Sequence, residues 1–238
     1  MSTPQPTPEA EAQAVVQRYA RRETRVDPGL YSLLNPSALA IHQERTRALA
    51  GMLRRHADLP TCRIAEVGCG AGGNLLDFIR LGADPARLTG LELIAERAAA
   101  ARVALPASVT VLQGDALAAD IAPASLDLVA QFTVFSSLLD DAFQQRLADR
   151  MWQWLRPGGA VLWYDFAFDN PRNPDVRGVP AARMRRLFPQ GRVAELRRVT
   201  LAPPLARAAC RLHPGLYGLL NLLPPLRTHR LAWIVKPE

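Results

Sequence analysis

Residues 63–79 read RIAEVGCGAGGNLLDFI, and no other stretch constrains the chain as tightly. A short apolar strand candidate runs into a bend with glycine at positions 68, 70, 72 and 73, and a helix candidate follows. Glycines let a backbone approach a ligand closely, and a helix start presents unpaired amides to it. That unit opens a parallel α/β fold whose bend holds a nucleoside-bearing ligand. Two glycine patterns overlap here. Gly68, Gly70 and Gly73 satisfy G-x-G-x-x-G, whereas Glu66, Gly68, Gly70 and Gly72 satisfy acidic-x-G-x-G-x-G.

The rest of the chain alternates in kind. Strand candidates are 63–67, 88–92, 109–112, 126–132 and 160–166; helix candidates between them are 73–81, 94–104 and 141–155, with a short one near 116–119. Such alternation predicts a parallel sheet covered on both faces. Pro157-Gly158-Gly159 reads as a turn before the fifth strand. Upstream, 9–24 is a polar helix and 35–56 an amphipathic one that Asn35-Pro36 can start. Downstream come a helix near 180–188 and strands near 193–201 and 230–235.

The last two strands are separated by APPLARAACRLHPGLYGLLNLLPPL, which Pro214-Gly215 divides into two short helices. A hairpin needs only about 2–5 residues, so the segment is an added element. The expected organisation is a disordered tail at 1–8, a helical cap at 9–59, and a core at 60–238 with an insertion at 203–226.

Charge is unevenly spread. The net charge is +7, but residues 1–176 hold 17 basic and 20 acidic residues and residues 177–238 hold 12 and 2. A basic end can draw an anionic partner: substrate phosphate, lipid surface or nucleic acid. Cys62, Cys69 and Cys210 form neither a metal-ligand spacing nor an even disulfide framework, which fits a reducing cytoplasm. No apolar run approaches the ~18–20 residues that span a bilayer, and MSTPQPTPEA lacks the order of a signal peptide.

Three features choose between the glycine patterns. Glu66, two residues before Gly68, would crowd a pyrophosphate but suits the ammonium and sulfonium end of S-adenosylmethionine. Asp115 in VTVLQGDAL stands where a carboxylate can accept an adenine amino group, and the chain ends in two late strands instead of a separate substrate domain. With these, residues 60–166 resemble the class I S-adenosylmethionine-dependent methyltransferases, through AEVGCGAGG, LTGLEL, LQGDAL, LDLVAQFTVFSSL and LRPGGAVLWYDF in that order.

The resemblance implies a Rossmann-like α/β fold: seven strands, mostly parallel, helices on both faces, and the last strand antiparallel beside the sixth. It implies S-adenosyl-L-methionine as cofactor. Glu66, Gly68, Cys69, Gly70 and Gly72 would line its methionine part, with Cys69 a small filler. Glu92 would hold the ribose diol, Leu93 would flank adenine, Asp115 and Ala116 would meet its edge, and Gln131 would sit near the sulfonium.

For the acceptor, Asp165 at the end of the fifth strand is the expected base, with His42, His213 and His229 as alternatives. Asn170, Asn173 and Arg177 in FDNPRNPDVRG, and Tyr19 in the cap, are candidate substrate contacts. Tyr19, Arg22 and Tyr31 sit where N-terminal segments of the enzymes that the chain resembles close over the cofactor, as a lid or by plain helix packing. The DNPRNPDVRG loop resembles loops of methyltransferases in bacterial polysaccharide or secondary-metabolite assembly. O-methylation of a small molecule or glycan is the expected reaction. QFTVFSS after the fourth strand is not the [DNS]-P-P-[YFW] of enzymes acting on flipped bases, which disfavours nucleic acid. RNA or amine N-methylation, a dinucleotide-dependent oxidoreductase and a non-catalytic cofactor-binding protein stay open. So do three uses of 203–226: contact with membrane or lipid-linked phosphate, a homodimer contact, or a lid packed on the core.

Overall fold

The first strand, β1 (Ile64–Val67), is buried at all four residues, as a strand covered on both faces must be. It lies at the centre of one seven-stranded sheet in a computed structural model that describes residues 8–25, 27–170 and 173–238. The tail expected at 1–8 falls outside the described residues except for Pro8, which already begins helix α1 (Pro8–Arg25). The other strands are β2 (Leu88–Glu92), β3 (Thr110–Gln113), β4 (Leu126–Phe132), β5 (Leu155–Phe166), β6 (Arg192–Leu201) and β7 (Arg227–Val235). Their order is β3-β2-β1-β4-β5-β7-β6. β1 to β5 are mutually parallel, and β7 runs antiparallel to both β5 and β6.

Alternate side chains of each strand enter opposite layers. Ile64, Leu128, Phe132, Leu162 and Tyr164 pack with α2 (Pro36–His56) and α3 (Gly73–Arg80). Ala65, Val67, Val129 and Trp163 face α5 (Asp141–Trp154), α6 (Ala181–Leu187) and Val15 of α1. α4 (Ala95–Ala104) joins the first layer through Ala101. The two N-terminal helices thus lie on opposite faces of the sheet.

Asn35 starts α2 as expected: its side chain accepts from the Ser37 amide at 3.0 Å, and Pro36 occupies the first turn. The cap is only partly a cap, because Met52 and Leu53 near the end of α2 are core residues, 0% and 1% exposed. The turn expected at 157–159 is instead a bulge within β5. Leu155 pairs with Leu126 and Ala160 with Leu128, so residues 156–158 bulge to solvent between them, while buried Gly159 accepts from the Lys236 amide at 2.8 Å. The insertion forms α7 (Pro203–Leu212) and α8 (Gly215–Asn221). Ala206, Cys210 and Tyr217 pack there with Leu201 and with Ala40 and Ile41 of α2. No described helix is long and apolar enough to cross a membrane.

Candidate active site

A cavity of about 890 Å³ opens at the carboxyl ends of β1, β2 and β4. β1 and β4 are where the strand order reverses, the place where open α/β sheets bind ligands. Gly68, Cys69 and Gly70 line it, together with Glu92, Leu93, Asp115 and Ala116 from the β2 and β3 ends. α1 contributes Val15 and Tyr19, and α2 contributes His42 and Arg45 from the other face.

The bend after β1 needs its glycines. Gly68, Gly70 and Gly72 have φ of 67°, 57° and 86°, a region that costs other residues about 1–2 kcal/mol. A Cβ on Gly68 would also lie 2.6 Å from Cγ2 of Val134. Cys69 behaves as the expected filler: its Sγ lies 2.7 Å from where a Cβ on Gly90 would stand, and burial pushes the thiol up to about 12. Glu92 is tied to both sides of the bend, Oε2 accepting from the Gly70 amide at 2.7 Å and Oε1 from the Ile94 amide at 2.9 Å. A carboxylate has about four acceptor positions, so capacity for a diol remains.

Glu66 is fully buried beneath the bend. Its Oε1 accepts from Asn74 Nδ2 at 2.6 Å, while Oε2 has no partner. Burial raises its carboxyl to about 8, against the opposing pull of Asn74 and Arg45. An orphaned buried acceptor beside the cavity is what a cationic ligand group satisfies, and with the tight glycine cradle it fits S-adenosylmethionine. Asn74 escaped sequence reading; a polar residue beginning an otherwise apolar helix was its only signal. Asp115 Oδ1 accepts from the Leu117 amide at 2.9 Å, which starts a short turn over 116–118 and holds Asp115 and Ala116 on the cavity wall.

The guanidinium of Arg97 lies 4.8 Å from the ring of Tyr19, so α1 closes over the bend. Buried Glu11 and Arg18 anchor it. Their ion pair is 2.6 Å, Arg18 also donates to the Ser137 carbonyl at 3.1 Å, and Glu11 accepts from the Leu139 amide at 2.9 Å.

Seven expected residues are absent from the cavity wall: Glu66 lies buried beneath the bend, Gly72 backs onto Leu105, and five others stand elsewhere. Gln131 and Asp165 share strand parity with Val129 and Trp163, so both enter the α5 layer beneath residues 135–137. Gln131 is 0% exposed; its Nε2 donates to the Tyr164 carbonyl at 3.3 Å and its Oε1 accepts from the Val134 amide at 3.0 Å. It positions Val134 against Gly68 instead of meeting a sulfonium. Asp165 is likewise 0% exposed, accepting from the Ser136 amide at 3.1 Å and the Phe166 amide at 2.8 Å. It is a brace and not a base in contact with ligand.

Asn170, Asn173 and Arg177 also stand off the cavity wall. Asn173 Oδ1 caps Asp175 at 3.1 Å, the Asn173 amide donates to the Asn170 carbonyl, and Arg177 pairs with Asp141. Pro171 and Arg172 lie outside the described residues. Through Arg21 and Asp175, 2.9 Å apart, the loop braces α1.

The α2 side supplies what they do not. Of the three alternative histidines only His42 lines the cavity, with Nε2 3.7 Å from Oδ1 of buried Asp77. His213 is exposed and accepts from the Gly215 amide at 3.1 Å. His229 is buried against Tyr164 and Phe166, and burial lowers it to about 3, which makes it a core residue. Arg45 lies 3.8 Å from Asp77 and over the ring of Phe132 at 5.4 Å; Arg80 lies 3.2 Å from the same carboxylate. Two guanidiniums and an imidazole share one Asp77, leaving this end of the cavity cationic. Asp77 and Arg80 belong to α3, which follows the bend directly, but Arg45 comes from α2 on the other side of β1, and no sequence pattern singled it out.

A family model described as a methyltransferase domain matches residues 64–159. No curated protein sequence matches the chain. In fold the chain is similar to the S-adenosylmethionine dependent methyltransferase from Mesorhizobium loti, at 16% identity and TM-score 0.58 over 80% of this chain and 96% of that one. It is similar to geranyl diphosphate C-methyltransferase from Streptomyces coelicolor A3(2), at 15% identity and TM-score 0.59 over 81% of this chain and 77% of that one. The cyclase SpnF is similar too, at 16% identity and TM-score 0.58 over 82% of each chain.

Proposed function

We propose, from the match of residues 64–159 to a methyltransferase domain, that this chain is a class I S-adenosylmethionine-dependent methyltransferase that O-methylates a small molecule or glycan carrying a carboxylate or phosphate. The observation that carries the reading is the shared wall of the cavity: His42 and Arg45 on one side, the glycine bend and Glu92 on the other.

The donor supplies an electrophilic methyl on a sulfonium. Glu66, the bend, Glu92 and Asp115 would hold it, and α1 with Tyr19 would limit water at the reacting atoms. Arg45, held over Phe132 and backed by Asp77, orients the acceptor's anionic group. His42 takes the hydroxyl proton onto its ring, and the Asp77 carboxylate stabilises the resulting imidazolium. Alignment supplies much of the rate, since displacement at a methyl is geometrically strict.

The test pairs calorimetry with turnover on a panel of acidic and neutral hydroxylated acceptors. His42→Ala should lower turnover by about 10²–10⁴-fold with affinity for S-adenosylhomocysteine unchanged. Full activity in that variant removes His42 as base, and a preference for neutral acceptors removes the role of Arg45.

A further inference from the structure

Twelve large hydrophobic side chains are exposed among the described residues, and nine of them fall in just two segments, residues 31–39 and 205–223. Single exposed leucines are ordinary, whereas a cluster requires a reason. Leu34 is 95% exposed, Leu212 81%, Leu222 69% and Leu219 62%. The two segments belong to one region: Ala40 and Ile41 of α2 pack on Ala206, Cys210 and Tyr217 of α7 and α8. α7 buries Ala206, Ala209 and Cys210, and its other side carries Leu205, Arg211 and Leu212. The patch reaches the site, because Tyr31 and Leu33 line the cavity and are 59% and 50% exposed.

Charge decides what covers the patch. No acidic residue occurs from 196 to 237, whereas Arg207 and Arg211 lie within the helical insertion and Arg198, Arg227 and Arg230 beside it. A second copy docking through α7 and α8 would bring arginine against arginine, and Glu44 of α2 is already engaged by the Thr200 amide at 3.2 Å. Nucleic acid would leave the leucines in water. An anionic bilayer satisfies both, taking leucine side chains below its headgroups and arginines among its phosphates.

We propose that α7, α8 and residues 31–39 form a docking face for an anionic lipid surface, which sets the cavity mouth against the membrane. The acceptor that enters beside Tyr31 and Leu33 is then an amphiphile with an acidic head, held in that bilayer. This last clause rests on the methyl-transfer reading, while the docking itself does not.

Flotation with vesicles of phosphatidylcholine alone, or mixed with phosphatidylglycerol, tests the face. The full chain should float with the mixed vesicles, weakly or not at all with phosphatidylcholine, and less as salt rises. Leu219→Ser with Leu222→Ser should reduce binding by at least about tenfold, and Arg211→Glu should reduce it independently. All three residues are exposed, so melting temperature and affinity for S-adenosylhomocysteine should stay at the parent values. Absence of binding to mixed vesicles at low salt overturns the proposal. So does a dimer in sedimentation that the leucine variants dissociate, or tighter binding to RNA than to vesicles. Loss of S-adenosylhomocysteine binding by the unmodified chain would count against the methyl-transfer reading alone, leaving the vesicle result to stand or fall by itself.

Discussion

The Gly70 amide donates to Oε2 of Glu92 across 2.7 Å, joining the bend after β1 to the tip of β2. The residue proposed to meet the donor's sugar therefore also holds the loop proposed to meet its methionine part. Glu92→Gln keeps the shape but turns an NH2 group toward the Gly70 or Ile94 amide. Affinity for S-adenosylhomocysteine should fall by about 1–3 kcal/mol in calorimetry; parent-like affinity would contradict the assignment.

With Glu66 meeting the donor's ammonium, as proposed, donor binding becomes a protonation event. Burial holds its carboxyl near 8, so at pH 7 it is mostly neutral in the free protein. A ligand ammonium beside Oε2 favours the ionised form, and the proton must leave. Calorimetry of S-adenosylhomocysteine at pH 7 in buffers of different ionisation enthalpy should therefore show net proton release, absent in Glu66→Gln. Equal heats in all buffers for the parent chain would refute the contact.

Gly68 in the bend and Gly73 at the start of α3 should respond differently. Gly68→Ala combines a positive φ of 67° with a contact to Val134, whose amide Gln131 fixes, so donor binding should be lost. Gly73 opens α3 with open space around its Cβ position. Gly73 also lines the cavity, so Gly73→Ala should weaken donor binding less than Gly68→Ala does, while leaving stability unchanged or higher by up to about 1 kcal/mol. Thermal melts with and without S-adenosylhomocysteine separate the two.

Asp165 predicts a pH effect on stability and little on chemistry. Burial lifts its carboxyl from 3.8 to about 7, so the folded chain keeps a proton that the unfolded chain releases. The native state then binds more protons, and stability contributed here is lost as pH climbs from about 4 to 7. Asp165→Asn should flatten the fall in melting temperature between pH 5 and pH 8 while turnover persists. Glu66 acts in the same direction and remains, so the slope shrinks without vanishing. A variant that is inactive yet fully folded would restore Asp165 as a base.

The glycine bend, the acid at the tip of β2 and the alternation of strands and helices are legible in the chain because their causes are local. Left-handed φ demands glycine at 68, 70 and 72, and apolar runs of strand or helix length announce their elements wherever they later pack. Strand parity is local too: Gln131 and Asp165 each share a face with the residue two places earlier. What covers that face is not local: Val67, Leu138 and Leu147 of the same layer line the cavity, whereas residues 135–137 close over Gln131 and Asp165. His42 and Arg45 come to the site from α2, and Tyr19 from α1, across separations over which a sequence carries no pairing rule. Burial is likewise a property of the assembled molecule. The same leucines of α7 and α8 could have filled a core, and only the packing of Ala206, Cys210 and Tyr217 beneath them left their side chains facing solvent.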